Sequence, residues 1–90
     1  MTERSLQITY RKGRPLAAYL YLAHPTGERS ARTEPSPDGL VVVDYAADGR
    51  PIGVEITSPE AVTLERLNGV LRELGQPPLP ETEFRPLTAA

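Results

Sequence analysis

The sequence predicts a small α+β fold, an antiparallel four- or five-stranded β-meander with one C-terminal helix packed on one face. Three observations carry that expectation. Apolar residues alternate with a period of two over most of the chain, the mark of strands with one buried face. Ten prolines and seven glycines among 90 residues exceed the usual ~12%, and they fall between apolar runs, as turns between short strands require. After residue 62 the apolar period lengthens to that of a helix.

The elements follow in order. Residues 6–11 (LQITYR) alternate strictly and read as the first strand, with the turn Lys12-Gly13-Arg14-Pro15 behind it. Residues 17–23 (AAYLYLA) are apolar on both faces, with Ala18, Leu20 and Leu22 on one and Tyr19 and Tyr21 on the other, which suits a central strand. His24-Pro25-Thr26-Gly27 forms the next turn. Residues 28–34 (ERSARTE) read as an edge strand whose charges discourage unwanted pairing. The loop 35–39 (PSPDG) leads into strands at 40–45 (LVVVDY) and 52–57 (IGVEIT), joined by a turn in which Asp48 precedes Gly49, the residue suited to positive φ.

That last hairpin admits two registers. A four-residue loop, 46–49, pairs Tyr45 with Arg50 and keeps Val41, Val43 and Tyr45 on the face of Ile52, Val54 and Ile56. A three-residue loop with a glycine bulge places Asp44 on that apolar face, at a cost of several kcal/mol. The four-residue loop is therefore expected, with Asp44 and Glu55 on the face away from the helix and several residues apart.

In residues 63–74 apolar side chains recur at Leu64, Leu67, Val70 or Leu71, and Leu74. Thr63 is placed to cap the amino end and Gly75 to close the carboxyl end, and Pro77-Pro78 forbids continuation. Ser58-Pro59-Glu60 reads as a capped single turn. Residues 1–76 thus form one domain, and 77–90 a loose proline-rich tail that Phe84 anchors.

Composition narrows the function classes. No apolar run approaches the ~20 residues that span a bilayer, and the start lacks the order of a signal peptide. Zero cysteines exclude a disulfide scaffold and a thiolate metal site, and fit a cytoplasmic location. The net charge of -2 divides into a basic first 35 residues, with six cations and three anions, and an acidic remainder. The basic half could attract an anionic partner; the bland alternative is two solvated strand faces.

The run GLVVVDYAADGRPIGVEI at 39–56, together with ITYRKG and LAAYLYL near the front, resembles the small prokaryotic family called domain of unknown function 2283. The likeness spans roughly residues 6–57 and rests on strand and turn positions including Tyr10, Tyr19, Asp44, Tyr45, Asp48, Gly49, Gly53 and Glu55. It implies a fold and no activity. Where the family carries acids in the first hairpin this chain has Arg11, Pro15 and Leu16, so a cation site there is not expected.

No catalytic constellation is legible. Asp44 and Glu55 lack a third ligand or a base, His24 has no nucleophile elbow around Ser30 or Ser36, and Gly49-Arg50-Pro51-Ile52-Gly53 lacks the lysine and helix of a phosphate loop. The expectation is a non-enzymatic interaction module without metal or cofactor. Its open sheet face, with Tyr19, Tyr21, Leu40 and Val42, would receive a second copy as a homodimer or a small protein partner. The alternatives are a nucleic-acid-binding module using the basic hairpin of Arg11, Lys12 and Arg14, and an antitoxin-like partner protein. Asp48 and Gly49 are expected to be structural.

Overall fold

The computed structural model of the chain describes residues 4–23 and 27–88. His24, Pro25 and Thr26, expected as a turn, lie outside them. Five strands, β1 (Ser5–Arg11), β2 (Arg14–Tyr21), β3 (Arg32–Pro35), β4 (Val41–Tyr45) and β5 (Pro51–Ile56), form one antiparallel sheet. A single 3₁₀ turn (Pro59–Ala61) leads to helix α1 (Leu64–Glu73), and a second helix, α2 (Glu81–Thr88), follows.

The antiparallel α+β architecture is as the alternation predicts, but the strand order is β1-β2-β5-β4-β3 rather than sequential. Two local units, the β1–β2 hairpin and the β3–β4–β5 meander, join where β2 pairs with β5. Composition explains the departure from a plain meander. All four residues of β3 (RTEP) are exposed, and burying Arg32 and Glu34 between strands would desolvate two charges. The chain therefore carries β3 to the far edge and returns the apolar β5 to the centre, where four of six residues are buried.

One face of the sheet holds the core. Ala18, Leu20, Leu22, Val41, Val43, Val54 and Ile56 pack against Val62, Leu67 and Leu71, with Leu6 and Ile8 at its rim. Burial of a leucine such as Leu67 contributes roughly 1.5–3 kcal/mol, which makes the helix stripe a main source of stability. The α1 ends are closed as the sequence predicts. Thr63 Oγ1 accepts from the Arg66 amide at 3.1 Å. At the other end Gly75 (φ 73°) donates to Arg72 O at 3.0 Å and Gln76 to Leu71 O at 2.8 Å, the two bonds of a Schellman closure. In the single turn, Ser58 makes no side-chain cap hydrogen bond; the Ala61 amide bonds its carbonyl instead.

The segment from Pro77 is not a loose tail. Leu79 (3% exposed) and Phe84 (4%) belong to the same core, on the helix side of the sheet. The Asn68 side chain holds the segment from both directions, accepting from Leu79 N at 2.7 Å and donating to Leu79 O at 3.2 Å. Pro80 O accepts from the Glu83 and Phe84 amides and so starts α2.

The β4–β5 hairpin keeps the expected faces with a different pairing. Val41 faces Ile56 and Val43 faces Val54, and Tyr45 pairs with Pro51 across a bulge, not with Arg50. The reason is Asp48: its carboxylate accepts from Arg50 N at 3.0 Å and Arg50 Nε at 2.6 Å, which holds Arg50 inside the turn. Gly49 has the expected positive φ of 91°.

Candidate functional site

Helices α1 and α2 and the single turn contribute their buried side chains to one side of the sheet, so among the described residues no helix covers the opposite face. The register lays that face out in rows. One row crosses Ser5, Tyr21, Gly53, Asp44 and Thr33; the next crosses Gln7, Tyr19, Glu55, Val42 and Pro35. Tyr19, Tyr21 and Val42 stand where the alternation places them. Leu40 does not: it precedes β4 and packs against the core, with its carbonyl accepting from Thr57 N at 3.1 Å. The turn at its side, closed by Asp38, bends the chain before the strand alternation begins.

Asp44 is the centre of this face. Its carboxylate accepts from Tyr19 Oη at 2.5 Å, Thr33 Oγ1 at 2.7 Å and Ser30 Oγ at 3.2 Å. Asp44 and Glu55 are diagonal neighbours, since Glu55 faces Val42 and Asp44 faces Gly53. They are thus closer than the four-residue loop register implies, because the true pairing is displaced by two residues.

Tyr19 reaches Asp44 only by crossing over β5. It pairs with Glu55, yet its phenol lies above Gly53, where a Cβ would sit 1.9 Å from the hydroxyl oxygen and 2.4 Å from the ring. No side chain fits beneath it, so the glycine is a condition of the hydrogen bond. Burial, the bond to the Asp44 carboxylate and the negative charges of Asp44 and Glu55 push the Tyr19 phenol well above its ordinary pKa. Tyr21 stacks beside it with ring centroids 4.6 Å apart at 51°, and is itself 38% exposed.

Chemically, the cluster is a filled one. Each carboxylate oxygen of Asp44 already accepts from a hydroxyl, which suits an organised surface better than a general base. Among the described residues no group of three or more His, Asp or Glu side chains is placed to hold a metal ion. Ser30, Thr33 and Gly53 escape sequence reasoning as members of the cluster. Thr33 has a signal, the alternation of an edge strand opposite Asp44, but only once the register is known. Among the described residues the large exposed apolar side chains are Tyr10, Leu16 and Tyr21, and of these the register puts Tyr21 on this face. The patch is accordingly smaller and more polar than the sequence alone suggests. Asp48 and Gly49 lie in the β4–β5 turn and belong to the scaffold.

The basic residues Arg11, Lys12 and Arg14 lie at the closed end of the β1–β2 hairpin, where Arg11 pairs with Arg14. No helix of the described residues is long and apolar enough to cross a membrane. No family model, curated protein or solved structure matches the chain.

Proposed function

We propose that the chain is a non-enzymatic interaction module that self-associates through its open sheet face, with Tyr21 as the anchor. The observation that supports this most is the fixed position of the neighbouring ring. Tyr19 is held across Gly53 by Asp44, so Tyr21 stands against an ordered aromatic and loses little freedom when a partner covers it. Tyrosine suits such a surface because its ring is apolar and its hydroxyl can stay wet. The hydroxyl and amide side chains of Ser5, Gln7, Thr9 and Thr33 around it give a polar rim, as a reversible contact of modest area requires.

The nucleic-acid alternative is less well supported on this face. A phosphate backbone crossing the tyrosines would meet Asp44 and Glu55, two like charges. The resemblance to domain of unknown function 2283 adds the hairpin pattern, including Tyr19, Asp44 and Gly53, but no activity. Sedimentation equilibrium of the full chain and of Tyr21→Glu tests the proposal. The full chain is expected to show a concentration-dependent monomer–dimer equilibrium, and the variant to stay monomeric with an unchanged thermal midpoint. A monomer in both removes self-association.

A further inference from the structure

Apart from the open face, the described part of the molecule carries an open cleft of 620 Å³ between the β1–β2 hairpin tip and the segment before α1. From the hairpin come Arg11, Lys12, Arg14 and Leu16; facing them are Ser58 and Glu60. The buried Pro15 and Pro59 also line it.

The cations here differ from most others in the chain. Arg4, Arg32, Arg50 and Arg66 each have a carbonyl or carboxylate partner. Arg11, Lys12 and Arg14 have none among the described residues, although three like charges within four positions repel one another. Lys12 adds a second oddity. With Gly13 it makes the two-residue hairpin turn, and its φ is 53°. That left-handed position favours asparagine, aspartate or glycine, and a lysine there is strained. The third is Leu16. Thr9 pairs with Ala17 and Tyr10 with Pro15, so Leu16 is the extra residue of a bulge, and it is left 50% exposed beside the cations.

Cations, an exposed apolar side chain, a carboxylate and an uncommitted serine hydroxyl define a ligand of mixed character. A plain anion would satisfy the cations but be repelled by Glu60. A nucleoside phosphate satisfies all four: phosphate to the guanidinium and ammonium groups and accepting from the Ser58 hydroxyl, base against Leu16, ribose hydroxyls donating to Glu60. The volume lies in the range of small-molecule sites. We infer that the hairpin cleft is a binding site for a nucleoside phosphate. It is separate from the open face and does not depend on self-association.

The test is titration of the ¹⁵N-labelled full chain with AMP and, separately, GMP, followed by amide shifts. Parallel titrations use inorganic phosphate, adenosine and a thymidine oligonucleotide. At least one nucleotide is expected to give saturable shifts at residues 11–16 and 58–60, with inorganic phosphate and adenosine each binding roughly tenfold or more weakly. The informative variant is Lys12→Asn, which suits the left-handed turn and removes the charge. It should raise the thermal midpoint and weaken nucleotide binding by about tenfold. The inference is overturned by an absence of saturable shifts with both nucleotides, by equal affinity for inorganic phosphate, or by unchanged affinity in Lys12→Asn. Tighter binding of the oligonucleotide, with shifts spreading beyond the cleft, also overturns it, in favour of nucleic acid.

Discussion

Gly53→Ala is the smallest change that isolates the organisation of the open face. The new methyl group would lie 1.9 Å from the Tyr19 hydroxyl oxygen, so the ring must leave. Its departure breaks the 2.5 Å bond to Asp44, a loss worth about 1.5–3 kcal/mol for a bond to a charged group. Alanine in a strand recovers about 0.5–1 kcal/mol over glycine, leaving a net destabilisation of roughly 0.5–2.5 kcal/mol. In a Tyr19→Ala background the obstruction is absent, and the same substitution should become stabilising by about 0.5–1 kcal/mol. Urea denaturation of the four chains gives both values from one double-mutant cycle. A second reading comes from spectrophotometric titration, in which Tyr19 should return toward the ordinary tyrosine range in Gly53→Ala. The same loss of stability in both backgrounds would refute the steric account and leave the glycine unexplained.

Further outcomes concern the core and the pH dependence of stability. Leu67→Ala removes a fully buried side chain from the helix–sheet contact and should cost about 2–5 kcal/mol; an unchanged urea midpoint would mean that α1 contributes little to the core. The pH profile should fall at both ends. The Arg66 guanidinium holds the Asp38 carboxyl well below the usual carboxylate range, so its contribution is present above the unfolded pKa of about 4 and is lost as pH falls toward the folded value; Asp38→Asn should flatten that acid limb. For Tyr19 the folded pKa is raised, so its contribution is present below about pH 10 and is lost as pH rises toward the folded value, and Tyr19→Phe should flatten the alkaline limb.

Local patterns made the strands, α1 and both of its caps legible, because alternation, Thr63 and Gly75 act within a few residues. The order of the strands was not, since it depends on which strand can tolerate burial on both sides. The polar RTEP of β3 announces an edge, but not which edge. Helix α2 is hidden by Pro77, Pro78, Pro80 and Pro86, although Glu81 and Glu83 in its first turn are helix-start residues. For the site, Tyr19, Tyr21, Val42 and Asp44 were legible from face alternation. Leu40 was misplaced because a turn reset the alternation, and the role of Gly53 depends on a side chain arriving from the neighbouring strand.

The two-way grip of Asn68 on Leu79 bears on how the protein is made. With Phe84, Leu79 occupies a core that also draws on β1, so residues more than 70 positions apart must meet before the interior is closed. The β1–β2 hairpin can form early from local contacts, but Leu79 and Phe84 can dock only on a surface that the sheet and α1 have already formed. Until they dock, the apolar side of the sheet is incompletely roofed. Docking of residues 79–84 is therefore the step that closes the core, and a change that hindered it would act on folding yield before it acted on any binding surface.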